Sequence, residues 1–74
     1  MTSDSLPFRH RLKSAREAAQ LTQNDLGIKA GGVAQTEISR YENGDYEPGL
    51  TRLRALADAL EVTADYLLGR SDQP

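Results

Sequence analysis

Apolar residues recur three or four positions apart along most of the chain, which is the spacing of one face of an α-helix. In the first such stretch the apolar positions are Phe8, Leu12, Ala15 and Ala19. The opposite face is polar, and its charged residues are Arg9, Arg11, Lys13 and Glu17. This pattern predicts an amphipathic helix of about three turns. Ser5 or a neighbour would cap this helix, with Pro7 in its first turn.

The next two predicted helices meet at a glycine turn. Thr22 is a typical N-cap, and the second helix runs from it to the pair Gly31–Gly32. Within this helix, Gly27 lies where the third helix must approach closely. A third helix is predicted from Gln35 to Asn43, and Gly44 is suited to end it. Two short helices joined by such a turn are typical of the helix-turn-helix motif.

The rest of the chain predicts two more helices. The fourth carries apolar residues at helical spacing, namely Leu50, Leu53, Leu56, Ala57 and Leu60. Thr63 caps a short fifth helix, Ala64 to Leu68, and Gly69 ends it. Because no stretch alternates as a strand would, we predict an all-α, five-helix domain over residues 6–69. Residues 1–5 would form a flexible N-terminus and residues 70–74 a polar tail.

The composition excludes several kinds of site. The 74-residue chain has no Cys, so it holds neither a disulfide nor a thiolate zinc site, and His10 alone cannot form a metal site. Ser14 and Ser39 lack a His–carboxylate partner, so we expect no enzyme, and no cofactor, metal or small-molecule ligand. No apolar run reaches the roughly 20 residues of a membrane span. The N-terminus also lacks a signal-peptide pattern, which favours a cytoplasmic protein.

One face of the third helix carries side chains that can read DNA. At about 100° per residue, Ile38 and Tyr41 lie on its apolar side. The opposite side carries the polar residues Gln35, Thr36, Ser39, Arg40 and Asn43. Gln and Asn can pair with adenine edges, Arg with guanine, and Thr with a thymine methyl group. Such a helix can lie in the major groove, although a solvated surface helix also carries polar residues.

The net charge does not by itself favour nucleic acid. It is formally −2, whereas nucleic-acid-binding domains are usually basic. However, the early part of the chain is rich in cations, at Arg9, Arg11, Lys13 and Arg16. The late part is rich in acids, at Asp58, Glu61, Asp65 and Asp72. Binding depends on which face carries the cations, and this separation of charge permits a cationic face.

Three segments have a combined spacing that is typical of one family. They are Leu21-Thr22-Gln23-Asn24-Asp25-Leu26, Lys29-Ala30-Gly31 and Ile38-Ser39-Arg40-Tyr41-Glu42-Asn43-Gly44. Together they resemble the phage repressor/Cro-like (XRE-type) helix-turn-helix family. The stretch from Glu47-Pro48 to Gly69 is similar to that family's fourth and fifth helices. The resemblance implies a lambda-repressor-like fold and a transcriptional regulator, a repressor, that binds double-stranded DNA.

The resemblance also implies a role for each matching residue. The base contacts would be Gln35, Thr36 and Arg40, with Ser39 and Glu37 beside them. The phosphate contacts would be Thr22, Gln23, Asn43 and Gly44. Gln23 would also orient Gln35. Arg16 and Glu42 would form a structural ion pair that joins the first helix to the end of the third.

The chain departs from the family's pattern at two places. The turn before the third helix is one residue longer, and the surplus is most simply Gly31 or Gly32, since an enlarged turn tolerates glycine. A small shift of helix 35–43 would follow from this longer turn. Many relatives also carry Lys or Arg in the loop after the third helix. Here Asp45 and Glu47 stand in that loop and would repel phosphates.

The cluster Tyr66, Leu67 and Leu68 has two interpretations. It can pack in the core, or it can contact a second copy across a two-fold axis, as the end of the domain does in this family. A homodimer would set two recognition helices about 34 Å apart on a near-palindromic operator. The leading hypothesis is therefore a dimeric repressor. The alternative is a helix-turn-helix protein-interaction module, such as an antitoxin or a regulator's partner-binding domain.

Overall fold

The computed structural model describes residues 6–73, which contain five α-helices and no strand. The helices are α1 (Phe8–Ala18), α2 (Gln23–Lys29), α3 (Gln35–Asn43), α4 (Leu50–Leu60) and α5 (Ala64–Leu67). The predicted all-α, five-helix fold is confirmed. Across residues 6–73, no helix is long and apolar enough to cross a bilayer. The expectations for segment 1–5, for a cap at Ser5 and for Pro74 fall outside the described residues.

Local sequence signals set the ends of the helices. The Thr22 hydroxyl accepts the Asp25 N–H at 3.0 Å, and the Asp25 carboxylate accepts the Thr22 N–H at 3.1 Å, so α2 starts with a complete capping box. Gly44 ends α3 with a φ of 82°, a left-handed conformation that glycine adopts without steric cost. Pro7 is the N-cap of α1, one position before the first turn in which the sequence placed it.

One hydrophobic core lies among the helices, and every helix contributes to it. The largest fully buried side chains come one from each helix, namely Leu12, Leu26, Ile38, Leu56 and Leu67. Burying a side chain of this size is worth about 1.5–3 kcal/mol. Helices this short are marginal alone in water, so it is the shared core that makes them stable.

Gly27 of α2 lies against the backbone of the turn that leads into α3, where the sequence predicts a close approach. A Cβ atom on this residue would lie 2.0 Å from the carbonyl oxygen of Val33, so a larger residue would force the backbone to move. The Gly27 carbonyl in turn accepts the N–H groups of Gly32 at 2.9 Å and Val33 at 2.8 Å. The turn is thereby tied to α2, and α3 starts from a defined position.

Arg11 is buried, although the helical wheel placed it on the polar face of the first helix. Its guanidinium donates to the carbonyl oxygens of Leu6, Tyr66 and Ser71, each at 3.3 Å, and pairs with Asp72 at 3.5 Å. It also lies 4.9 Å from the centre of the Tyr66 ring. The prediction was wrong because most of these partners come from the other end of the chain, which the periodicity of one helix cannot reveal.

The three residues that were predicted as a possible dimer contact differ in their burial. Leu67 is fully buried and belongs to the core, so it is not available to a second copy in this conformation. Tyr66 is half-buried and packs against the core. Leu68 is exposed. Only Leu68 and the outer part of Tyr66 are therefore left as candidates for such a contact.

Candidate nucleic-acid interface

The outer face of α3 carries the polar residues that the helical wheel placed there. Gln35, Thr36, Arg40 and Asn43 are exposed, and Ser39 is half-buried. The inner face is held in the core by Ile38 and Tyr41. Within residues 6–73, no hydrogen bond or ion pair holds the Arg40 guanidinium. The same part of the chain has no group of three or more His, Cys, Asp or Glu that could hold a metal ion.

A buried ion pair fixes the C-terminal end of α3 against α1. Arg16 Nε lies 2.6 Å from Glu42 Oε2, and Arg16 Nη2 lies 3.1 Å from Glu42 Oε1. Arg16 Nη1 also donates to the Leu21 carbonyl at 2.8 Å. Only 11% of the Arg16 side chain and 3% of the Glu42 side chain are exposed. The hydrogen bond to Glu42 raises the pKa of Arg16 in spite of the burial that acts against it.

Glu42 also begins a series of hydrogen bonds that ends on the outer face. Gln23 Nε2 donates to Glu42 Oε1 at 3.0 Å, and Gln23 Oε1 accepts from Gln35 Nε2 at 2.7 Å. Because an ionised Glu42 can only accept, the amide nitrogen of Gln23 must face it, and the amide oxygen is left for Gln35. Gln35 then keeps one N–H and its own carbonyl oxygen. This donor and acceptor match N7 and the N6 amino group of adenine.

Glu37 does not contribute a free side chain to the outer face. Its carboxylate accepts from the hydroxyls of Tyr41 at 2.8 Å and Tyr46 at 3.1 Å, and it pairs with Arg52 of α4 at 3.2 Å. The Tyr41 hydrogen bond, helped by Tyr46 and by the charge of Arg52, lowers the pKa of Glu37. In this conformation both carboxylate oxygens accept from donors within the protein, and the base contact that the resemblance implies for Glu37 stays a prediction.

Arg52 and Tyr46 are the residues that the sequence did not connect to Glu37. Glu37 and Tyr41 are four positions apart on one helix, so their hydrogen bond could have been anticipated. The Tyr41 and Tyr46 rings meet edge to face with centroids 5.6 Å apart, which requires the loop after α3 to fold back. Burial raises the pKa of Tyr41, which keeps its hydroxyl a donor.

The predicted phosphate site at the end of α3 has fewer donors than expected. The Gly44 N–H donates to the Tyr41 carbonyl at 3.2 Å, and the Asp45 N–H donates to the Arg40 carbonyl at 3.0 Å. These bonds satisfy the last carbonyls of the helix. The Gly44 N–H is therefore engaged within the helix cap, and the phosphate contact predicted for this residue stays a prediction. Asn43 remains available through its exposed side chain.

The predicted phosphate site at the start of α2 keeps its side-chain donors. The Thr22 hydroxyl accepts the Asp25 N–H, and its own proton can still be donated. Gln23 uses one amide proton for Glu42 and has a second one. These two neighbouring donors lie at the end of the helix where the backbone dipole favours an anion.

Gly31 and Gly32 accommodate the longer turn between α2 and α3. Their φ angles are 97° and 100°, and a Cβ atom on either would meet nothing within 4 Å. Backbone conformation, not lack of space, therefore favours glycine here. In spite of this turn, Gln35 at the start of α3 still reaches Gln23.

The sequence is similar to those of known transcription regulators. Residues 12–67 match a helix-turn-helix family model. The chain is 38% identical over 64 residues to the uncharacterized HTH-type transcriptional regulator YobD of Bacillus subtilis, an alignment that covers 86% of this chain and 56% of YobD. It is 34% identical over 65 residues to the cryptic phage CTXphi transcriptional repressor RstR of Vibrio cholerae, covering 88% and 57%. The chain thus spans little more than half the length of these relatives.

The fold is similar to that of a repressor bound to DNA. The crystal structure of the c2 repressor of Salmonella phage P22, in complex with a synthetic operator, superposes with a TM-score of 0.83 and 31% sequence identity. The match covers 90% of this chain and 100% of the repressor chain.

Proposed function

Because the chain belongs to the phage repressor/Cro-like (XRE-type) helix-turn-helix family, we propose that it binds double-stranded DNA with sequence specificity and represses transcription. α3 would lie in the major groove with its outer face against the base edges. The start of α2 and the end of α3 would contact the DNA backbone. Binding to an operator would place the protein with the genome, in the cytoplasm.

The orientation of Gln35 is the observation that carries this proposal. A glutamine on a surface helix is ordinarily free to rotate, and holding it in one rotamer costs side-chain entropy. Here Gln23 holds the Gln35 amide, and the buried Glu42 holds Gln23. The entropy is thus lost during folding rather than during binding, which favours a contact of defined geometry.

The neighbouring polar residues extend the same surface. Arg40 can donate two parallel hydrogen bonds to O6 and N7 of guanine, the commonest specific contact to a base. Thr36 is exposed beside Gln35 and can contact a thymine methyl group. Ser39 is half-buried between these positions and can donate or accept. We propose Gln35, Thr36, Ser39 and Arg40 as the base contacts.

The contacts to the DNA backbone would come from side chains on both sides of this surface. Thr22 and Gln23 would donate to a phosphate at the start of α2, and Asn43 would donate to a second one. Such contacts fix the position of a protein on the duplex and do not depend on sequence.

We propose that the protein acts as a homodimer on a near-palindromic operator. One short helix reads few base pairs, and a second copy adds a linked half-site about 34 Å away. The exposed Leu68 and the outer part of Tyr66 are the available apolar surface at the end of α5. Leu68→Glu should shift the protein toward monomer in sedimentation velocity, whereas an unchanged distribution would contradict this assignment.

Fluorescence anisotropy with random duplex DNA over a salt series tests the proposed function. Counter-ion release predicts that the logarithm of the binding constant falls linearly with the logarithm of the salt concentration, by about 0.9 for each phosphate neutralised. A protein that binds no duplex even at low salt would contradict the proposal. That result would favour the protein-interaction module, which the net charge of −2 and the exposed Asp45 and Glu47 would suit.

Selection from random DNA, followed by two variants, tests the division of roles. Arg40→Ala should change the preference at one base pair by about 1–3 kcal/mol. Asn43→Ala should weaken binding to all sequences alike, because a phosphate carries no sequence information. Equal effects of the two variants on base preference would show that the base contacts are assigned wrongly.

A further inference from the structure

Arg9 of α1 lies against the C-terminal end of α3. A Cβ atom built on Gly44 would be 2.9 Å from Arg9 Cδ, 3.6 Å from Nε and 3.7 Å from Nη1. Because Gly44 has no side chain, the Arg9 side chain can occupy the space above it. The guanidinium is carried across the surface from one helix to the end of another, beside the exposed Asn43.

We propose that Arg9 binds a DNA phosphate at this end of α3, a role that rests on the proposed DNA binding. The backbone N–H groups of Gly44 and Asp45 are both used by the helix cap, so they leave this position without backbone donors for an anion. Arg9 supplies what is missing, since a guanidinium presents several donors and a full positive charge to a phosphate.

The guanidinium of Arg9 is free to take that partner. Arg9 is exposed, and none of the residues 6–73 gives it a hydrogen bond or an ion pair. In this it differs from Arg11 and Arg16 on the same helix, whose charges are used inside the protein. On α1, Arg11 and Arg16 therefore serve the protein interior, whereas Arg9 lies on the surface.

The acidic loop after α3 explains why a cation is needed at this place. Asp45 and Glu47 are exposed next to Gly44, and each would repel an approaching phosphate. A positive charge over Gly44 offsets this repulsion locally. Arg9, which lies on α1, thus attracts the phosphate in the way that a basic residue in the loop itself would.

The experiment compares wild-type protein with Arg9→Gln, Arg9→Lys and Arg54→Gln in the anisotropy salt series with random duplex DNA. Arg54→Gln is the matched control, because Arg54 is an exposed arginine and the charge change is identical. Arg54 also lies on α4, a helix that contributes none of the proposed DNA contacts.

Arg9→Gln should lower the salt slope by about 0.9 and weaken binding about eight-fold near 0.1 M salt, with the wild-type and variant lines converging toward 1 M. Arg9→Lys should keep the slope, and Arg54→Gln should match the wild type. The thermal unfolding midpoints of all variants should lie close together, since Arg9 has no hydrogen bond or ion pair to lose within residues 6–73. If the wild type binds DNA and Arg9→Gln binds as Arg54→Gln does, the proposed role of Arg9 is overturned and the proposed DNA binding stands. If wild type binds no DNA, the proposed function and this role fail together.

Discussion

Two glutamates hold the two ends of α3, and they do so in different surroundings. Near the C-terminal end, the Glu42 side chain is 3% exposed and meets Arg16 at two points. Nearer the N-terminal end, the Glu37 side chain is 34% exposed and its partner Arg52 is 42% exposed. Both carboxylates have several donors, so the difference between them lies in burial and not in the number of hydrogen bonds.

This difference distinguishes a glutamate that is connected to the proposed DNA-reading face from one that is connected only to other parts of the fold. Glu42 is connected through Gln23 to Gln35, so its burial fixes the geometry of a side chain that we propose as a base contact. Glu37 is connected to α4 and to the loop after α3, and no hydrogen bond among residues 6–73 links it to the outer face. Breaking each end of α3 in turn should therefore give different effects on stability and on base preference.

The largest expected effect is that of Arg16→Met on stability. Leaving the buried Glu42 without its cation should lower the free energy of unfolding by about 3–5 kcal/mol. A domain of this size has a total stability of roughly 4–11 kcal/mol, so the variant would lose a large part of it. Urea unfolding followed by far-UV circular dichroism measures the loss. Arg54→Met is the matched control, and a similar small loss in both variants would refute the structural role of the pair.

The next effect concerns base preference. Gln35→Ala should change the preferred site at one base pair by about 1–3 kcal/mol, because it removes an adenine-type donor and acceptor. Glu37→Gln should leave base preference unchanged, since its side chain is turned to α4. Selection from random DNA with each variant provides the measurement. A new base preference in Glu37→Gln would mean that Glu37 reaches the bases after all.

A smaller effect is expected for the exposed ion pair. Arg52→Ala should lower the free energy of unfolding by about 1 kcal/mol or less, because exposed pairs gain little over their solvated charges. The same urea titration that is used for Arg16→Met gives a direct comparison. A loss as large as that of Arg16→Met would show that burial does not distinguish the two ends.

The smallest effect is a dependence on pH at the exposed end. The pKa of Glu37 is lowered in the folded protein from an ordinary value of 4.5, chiefly by the Tyr41 hydrogen bond. Its contribution is therefore fully present above about pH 4.5 and is lost as the pH falls through the folded pKa. The stability difference between wild type and Glu37→Gln should be constant from neutral pH to about pH 5 and should shrink in acid. A difference that grows in acid would have the wrong sign.

Most of the fold could be predicted from the sequence because its signals are local. The start of α2 follows from a capping box that spans only Thr22 to Asp25, and the end of α3 follows from a glycine at the next position. Even the close approach at Gly27 was predictable, because a glycine inside a short helix just before a turn is typical of a place where another part of the backbone comes near. The face of α3 followed from the helical period alone.

Several differences from the predictions concern residues whose partners are far away in the chain. Arg11 bonds to residues 55 and 60 positions later, and Glu37 pairs with Arg52 on another helix. Leu67 belongs to an apolar cluster whose composition suits a core and an interface equally well. Arg9 looked like its neighbours Arg11 and Arg16 until their partners were known. Hydropathy and charge describe what a side chain can do, but not which partner it meets.

The sequence by itself determined the five helices, the caps at Thr22, Gly44 and Thr63 and the polar face of α3, since each depends on residues within one or two helical turns. Only the tertiary structure decided which charged residues are used inside the protein and which remain exposed on its surface. Packing α1 against α3 buries Arg16 with Glu42 and leaves Arg9 over Gly44. Packing α3 against α4 takes Glu37 away from the outer face. The physical reason is that burying a charge is costly unless it is paired, and its partner is brought near only when the helices assemble.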